Sequence, residues 1–406
     1  MKKLNFKTAI LNLIFILASV QLSIADNWQS FGTGTSSDLW GVDFIDNNTG
    51  WVVGNNGVIR KTTNGGVNWS AQTSGTSQVL YSVDFINANF GIAVGENRTI
   101  LRTVNGGDNW IAVNLGSGDK IRRVHFVSEN LIFAVGDPGI VYKSNDRGTN
   151  WTMITAEFNG GLKGLDFSNS ENGFVVGLSG SVFKTSNTGN NWNLVSIPVL
   201  HTLEEIDFIN NDNGLAVGYN AAVYKISNGT WNNISTPYSN WLFDVEYANE
   251  NIAYAVGDFG ALLKTTNGGF TWNDVWGGTV TLYDISIPSV STAYISGKNG
   301  TILKGTDLVG ITPLNSNVPD KFSLSQNYPN PFNPSTKIKF ALAKNENVLL
   351  TVYDITGKAV KSLVNQNLNT GEYEVEFDAG DLSSGIYYYR LVTNSFAETK
   401  KMNLIK

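Results

Sequence analysis

A tryptophan that returns at a nearly fixed interval constrains this chain more than any other feature. Trp28, Trp69, Trp110, Trp151, Trp192, Trp231 and Trp272 are separated by five steps of 41 residues and one of 39. A period of ~40–45 residues is the length of one four-stranded propeller blade. Within each period the same pieces recur: a strand such as Val42-Asp43-Phe44, a turn rich in Asn, Asp and Gly, a strand ending Val53-Gly54, and a third strand running into Thr62-Thr63-Asn64-Gly65-Gly66-Val67-Asn68-Trp69. The first strand returns as Val83-Asp84-Phe85, Val124-His125-Phe126, Leu165-Asp166-Phe167, Ile206-Asp207-Phe208, Val245-Glu246-Tyr247 and Ile285-Ser286-Ile287. Seven copies predict seven blades.

The ends of the array predict how the ring closes. The seventh unit runs through Ser296-Gly297 and Thr301 to Lys304 but reaches Leu308 without a closing Trp, whereas Asn27-Trp28 is a closing element with no unit before it. The N-terminal strand is therefore expected to complete the last blade, which removes two exposed sheet edges at once. Composition agrees with an all-β chain: 42 Gly, 42% hydrophobic residues, and no helical period of useful length.

Residues 1–25 read as a secretory signal, with Lys2, Lys3 and Lys7 ahead of an apolar stretch from Ala9 to Val20 and Ser23-Ile24-Ala25 as a cleavage site. That apolar stretch is too short to span a bilayer. There is no cysteine, so disulfides, a thiol nucleophile and a cysteine-based zinc site are excluded. Residues 26–308 hold 15 Lys+Arg against 25 Asp+Glu, net −10, and residues 321–406 hold 10 against 8, net +2. A domain at −10 repels phosphates, so no nucleic-acid partner is expected.

The Thr62 to Trp69 pattern resembles the Asp-box turn of sialidase-like propellers, most closely at Ser144-Asn145-Asp146-Arg147-Gly148-Thr149-Asn150-Trp151. Its mechanical reading is that hydroxyl and Asx side chains satisfy the backbone of a tight turn while the Trp packs between blades. Together with Gly50-Trp51-Val52-Val53-Gly54-Asn55-Asn56-Gly57-Val58-Ile59-Arg60-Lys61-Thr62, the unit looks most like the seven-bladed β-propellers of the photosystem II assembly and stability factor family, over residues 26–308. After a linker at 309–320 a second pattern begins with Asn327-Tyr328-Pro329-Asn330-Pro331-Phe332-Asn333-Pro334. Strands are predicted over Lys337 to Leu342, Val348 to Asp354, Gly371 to Phe377, Ile386 to Val392 and Thr399 to Ile405. A small Ig-like β-sandwich fits this alternation. With Val352 to Lys358, Ser384 to Leu391 and Lys400-Lys401-Met402, residues 321–406 resemble the type A C-terminal sorting domain of the type IX secretion system. That resemblance implies a secretion translocon as partner, export through the periplasm, and a final location on the outer-membrane surface or outside the cell.

Groups able to do chemistry are sparse. His125 and His201 are the only two histidines, and neither a catalytic triad nor a multi-histidine metal site is expected: His125 takes the repeat position filled elsewhere by Asp or Glu and reads as a packed polar residue, and His201 falls in a connecting loop. Asp43, Asp84, Asp166, Asp207 and Glu246 recur in the first strand and read as acceptors of hydrogen bonds from the next blade rather than as a cation ring. A glycoside hydrolase of the Asp-box type is the competing reading, but adjacent Glu204 and Glu205 should point to opposite faces of a strand and so cannot flank one glycosidic bond. No catalytic residue, metal or cofactor is expected, and the chain is expected to act as a monomeric binding module for a protein or glycan. Internal comparison locates the binding site. The copies agree on Leu39, Leu80, Ile121, Leu162, Leu203, Leu242 and Leu282, which read as core, and the next residue differs in every copy or changes character: Trp40, Tyr81, Arg122, Lys163, Glu204, Phe243 and Tyr283. These seven are expected to ring one mouth of the central channel, the aromatic four contiguous across the closure and the charged three opposite.

Overall fold

The computed structural model describes residues 27–406 apart from 155–157, 159, 198–200, 307, 309–310, 316–318, 369 and 380–381; the export signal read at 1–25 lies outside the described residues. Seven four-stranded antiparallel sheets carry the repeat. Blade 1 comprises Leu39–Phe44, Gly50–Gly54, Ile59–Thr62 and Ser70–Gln72. The first strands of successive blades neighbour one another in cyclic order and the last returns to the first, so they line a central channel. Second strands such as Gly50–Gly54 and Gly91–Gly95 are buried throughout, as a strand covered on both faces must be.

The hydrophobic core lies between blades rather than within them. Phe44 of blade 1 stacks on Tyr294 of blade 7 at 3.5 Å and Trp51 stacks on Phe85 of blade 2 at 3.5 Å. In blades 1, 2, 4 and 5 a glycine at the start of the second strand belongs to this packing: a side chain at Gly50 would run into the Phe44 ring, as one at Gly91, Gly173 or Gly214 would meet Phe85, Phe167 or Phe208. The turn before each recurring Trp is closed as its residues predict. Thr62 Oγ1 accepts the Gly66 N–H at 3.0 Å, and Asn64 Oδ1 accepts the Asn68 N–H at 2.9 Å. The same bonds recur at Ser144 with Asp146 and at Thr265 with Asn267. Trp69 then edges onto Phe44 at 5.9 Å. The single 39-residue step has a local cause. Blade 5 replaces this turn by a two-residue hairpin, Asn228-Gly229, both with positive φ, between paired Ser227 and Thr230.

Ring closure is as expected. Asn27–Gly32 pairs antiparallel with Thr301–Thr306, joining Leu282–Ser289 and Thr292–Gly297 in blade 7. Trp28 lies over Gly305, where a Cβ would come within 2.6 Å of its ring, and makes an edge contact with Tyr254 of blade 6 at 5.7 Å.

Two layers of polar side chains staple the first strands from inside. In the lower layer Asp43, Asp84, Asp166, Asp207 and Glu246 accept the N–H of Phe85, Phe126, Phe208, Tyr247 and Ile287 in the next blade at 2.7–3.1 Å, and Ser286 accepts that of Phe44. At the remaining joint His125 stacks on Phe167 and lies 3.8 Å from Asp166. In the upper layer Arg123 of blade 3 spans the channel to Glu205, to Asp244 at 2.9 Å and to Asp284 at 2.5 Å, three carboxylates from blades 5, 6 and 7. Asp284 and Asp244 also accept the Val42 and Ile285 N–H groups. Burial alone would lower the Arg123 pKa, but Glu205, Asp284 and Asp244 outweigh it and hold the guanidinium charged. Burial pushes the Glu205 carboxyl up to about 7 against the pull of Arg123, and pushes Asp244, Asp43, Asp207 and Glu246 well above the usual carboxylate range.

The C-terminal part is a sandwich of two four-stranded sheets, one ordered Ile311–Asn315, Gly371–Asp378, Ser335–Leu342, Ser323–Leu324, the other Ala359–Leu368, Glu346–Tyr353, Gly385–Val392, Ala397–Leu404. Between them lie Phe340, Phe377, Leu350, Tyr389, Leu391 and Met402. Two expectations are corrected. Ile311–Asn315, read as linker, is an edge strand paired with Gly371–Asp378, because backbone hydrogen bonding recruits it irrespective of its turn-like composition. Ala359–Leu368 is a strand that its polar, non-alternating sequence did not signal. The Asn327 to Pro334 run is a core plug: Asn327 is buried and donates to Pro329 O and Thr336 Oγ1, and Phe332 is buried under the sheets.

Three outcomes follow. Trp28→Ala should cost about 2–4 kcal/mol, less than a full core truncation because the ring is half-buried, read as a drop in melting temperature. Because Glu205 has its folded pKa raised from 4.5 to about 7, its contribution to stability is complete below about 4.5 and is lost as pH rises through about 7, so the melting temperature should fall between pH ~5 and pH ~8. Arg123→Met, which strands three carboxylates, should cost about 3–5 kcal/mol at pH ~8 and clearly less at pH ~5, where protons replace the lost cation, measured by denaturant unfolding at both pH values.

Candidate functional site

Each first strand carries a β-bulge at the same place. The pairing register shifts between Leu39 and Gly41, Leu80 and Ser82, Ile121 and Arg123, Leu162 and Gly164, Leu203 and Glu205, Leu242 and Asp244, and Leu282 and Asp284. The residue left without a ladder partner is in every case the variable one: Trp40, Tyr81, Arg122, Lys163, Glu204, Phe243 or Tyr283. A bulge frees a side chain from the pleat and re-aims it, at the cost of one rung of hydrogen bonding. All seven are half-buried, as groups at a rim are.

The structure brings these residues together. Trp40 stacks on Tyr283 at 4.1 Å and meets Tyr81 edge-on at 5.7 Å, and Phe243 tilts against Tyr283 at 5.7 Å. The expected aromatic arc across the closure is thus continuous. Arg122 lies over the Tyr81 ring at 4.9 Å and clamps Asp137 Oδ2 at 2.7 and 3.0 Å. Glu204 completes the charged side; burial raises its pKa while Lys163 and Arg122 draw it back. In blades 1, 2 and 3 the turn at the end of the second strand supplies an outer support for this ring. Trp40 Nε1 donates to Asn55 Oδ1 at 2.8 Å and the Tyr81 hydroxyl donates to Glu96 at 3.0 Å. Burial, with Asp38 and Asp258 nearby, pushes the Tyr283 hydroxyl up to about 12.

The bulge also corrects the view that Glu204 and Glu205 face opposite ways: it breaks the alternation, and both carboxyls feel Arg123. Glu205 belongs to the Arg123 bridge and Glu204 to the rim. No cluster of metal-ligating side chains occurs among the described residues. The channel carboxylates are engaged by backbone N–H groups or by Arg123.

Other residues went unnoticed in the sequence. Arg123, Asp244 and Asp284 stand one position beyond the variable one, where the copies read Gly41, Ser82, Arg123, Gly164, Glu205, Asp244 and Asp284, one cation opposite three acids. That inventory held the signal. Trp241 and Tyr219 extend the arc outward, Tyr219 edging onto Trp241 at 5.5 Å and Trp241 onto Phe243 at 5.8 Å.

Comparison with known proteins agrees with both parts of this architecture. Residues 69–192 match the family model described as photosynthesis system II assembly factor YCF48, and residues 326–405 match that of the secretion system C-terminal sorting domain. Among solved structures, YCF48 bound to D1 peptide is similar at 23% identity and TM-score 0.60, covering 70% of this chain and 98% of that one. YCF48 from Cyanidioschyzon merolae is similar at 19% identity and TM-score 0.59, covering 69% and 98%. The WD40 β-propeller domain of Doa1 shares the fold at 9% identity and TM-score 0.59, covering 69% and 97%. No curated protein matches the chain. Its repeat, closed ring and terminal sandwich make this chain a seven-bladed propeller resembling the YCF48 assembly factors, followed by a type IX secretion sorting domain.

Proposed function

We propose that the protein is an exported binding module whose ligand, a protein or a glycan, docks on the mouth formed by Trp40, Tyr81, Arg122, Lys163, Glu204, Phe243 and Tyr283. The observation that carries this reading is the coincidence of internal variation with the bulge in all seven blades. The neighbouring core position holds Leu six times and Ile once, so the variation is not forced by packing. Large aromatics beside a positioned Arg are the side chains that most often carry binding energy at an interface. That one similar propeller has been solved as YCF48 bound to D1 peptide supports a polypeptide among the ligand classes. Binding is favoured over hydrolysis because the channel carboxylates Glu205, Asp244 and Asp284 beneath the mouth are held by Arg123 and by backbone N–H groups, and so are not free to act as an acid and base pair.

On this reading residues 26–308 are the working unit, and 321–406, whose sheet the edge strand Ile311–Asn315 joins, are the segment that the translocon reads. The propeller acts as a monomer at the cell surface or outside the cell, without a cofactor. With the full chain as bait, Trp40→Ala combined with Arg122→Ala should reduce ligand capture about tenfold or more while the melting temperature holds within a few degrees; undiminished capture would move the site off the mouth. Deleting residues 321–406 should leave a folded propeller retained in the periplasm, detected by cell fractionation and protease protection. Surface display of the truncated chain would refute the role given to that segment.

A further inference from the structure

The mouth-face turn of blade 6 departs from the pattern of the others. The turn that leads into the third strand holds a non-glycine residue in the left-handed region: Asn56, Asn97, Ser179, Asn220, Phe259 and Asn299, with φ of 53–59°. Asn tolerates this conformation because its short amide bonds locally, whereas a bulky side chain gains nothing from it. Phe259 is nevertheless there, and it is 66% exposed. Neither backbone preference nor core packing accounts for it, and strain without structural return points to a contact made elsewhere. Trp241 repeats the anomaly. It is 40% exposed at a position where the other blades carry Asp38, Val79, Lys120, Gly161, Thr202 and Thr281. Tyr219, 41% exposed, stands edge-on to it, and the Asp258 N–H donates to the Trp241 carbonyl at 2.9 Å, tying the Phe259 turn to the same spot.

Tyr219 and Trp241 stand at 82° to one another and Trp241 and Phe243 at 76°, so these three rings form ridges and clefts rather than a flat platform. Ridges accept the side chains of a polypeptide; a sugar face needs a broad exposed ring plane. The charge beside them is acidic. Asp258 is held by the Thr281 hydroxyl and Asp38 by the Asn299 N–H, both neutral donors, and the two carboxylates flank Tyr283. An aromatic wall with carboxylates behind it attracts a cation through ring faces and charge together.

Building on the mouth as binding site, we propose that blades 5 and 6 present a docking strip for an extended basic polypeptide segment, which seats an apolar side chain against Tyr219, Trp241 and Phe259 and lays a Lys or Arg over Phe243 and Tyr283 towards Asp38 and Asp258. The strip sets what the mouth accepts: basic and apolar residues in alternation, not acidic chains and not oligosaccharides.

The test uses the full chain and three probes: a short fluorescein-labelled peptide bearing Phe and Lys in a Gly/Ser background, the same peptide with Glu for Lys, and a chito-oligosaccharide. The variants are Phe259→Asn and Trp241→Thr, residues that sister blades carry at the same positions, so folding is safeguarded. The wild type should bind the Phe/Lys peptide in preference to the other two, and the double variant should lose about tenfold or more in affinity at an undiminished melting temperature. Unchanged affinity, a clear fall in melting temperature, or preference for the Glu peptide or the oligosaccharide would each overturn the strip. If Trp40→Ala with Arg122→Ala abolishes binding of a probe that the Phe259→Asn, Trp241→Thr variant still binds normally, the strip fails and the mouth survives; a probe bound equally by all variants removes both.

Discussion

The pairing of Asn27–Gly32 with Thr301–Thr306 is the constraint on which the rest of the propeller depends. Blade packing is cyclic: Phe44 of the first blade needs Tyr294 of the last as much as Trp51 needs Phe85. An open array would expose one such aromatic face at each end, together with two unpaired strand edges. Closing with a strand from the opposite terminus makes the first and last blades covalently interdependent through the whole chain. Every blade joint is then of the same kind, and stability is shared around the ring.

Inside that ring the polar groups do what a hydrophobic channel lining could not. The lower carboxylates each take one N–H of the next blade, which specifies the angle between blades more tightly than apolar packing alone. Their cost is burial, with neighbouring carboxylates adding to it, visible as raised pKa values. In the upper layer Arg123 offsets the same cost for Glu205 and Asp244, joining blade 3 to blades 5, 6 and 7. A buried ion pair is weak evidence for net stability. Its firmer consequence is geometric: Arg123 and its three carboxylates occupy the channel just beneath the rim.

The bulges explain how one scaffold tolerates variety at the mouth. Trp40, Arg122, Lys163 and Glu204 differ in size and charge, yet the ladder on either side of each is the same, because the bulged residue contributes no pairing that a substitution could break. Exposed aromatics on blades 5 and 6 extend this freedom outward, to positions that core packing does not constrain.

How much of this was legible follows from range. The Trp period, the strand-by-strand recurrence and the orphan halves at the two ends determined blade number and the mode of closure, since each is a local pattern repeated along the chain. The terminal Asn327 to Pro334 motif marked a second domain for the same reason. Comparison of copies also singled out the seven mouth residues, because a symmetric fold maps equal register to equal place. What the sequence could not determine was which residues meet across the symmetry. That Arg123 reaches three carboxylates up to 161 residues away, and that Ile311–Asn315 joins a sheet, were decided only by the tertiary structure. That Glu204 and Glu205 escape strict alternation was decided there too. The physical reason is the same in each case: a repeat specifies the angle and radius of every blade, but contacts across the channel and bulges in the ladder depend on the closed ring, in which residues distant in sequence are pressed together at the axis.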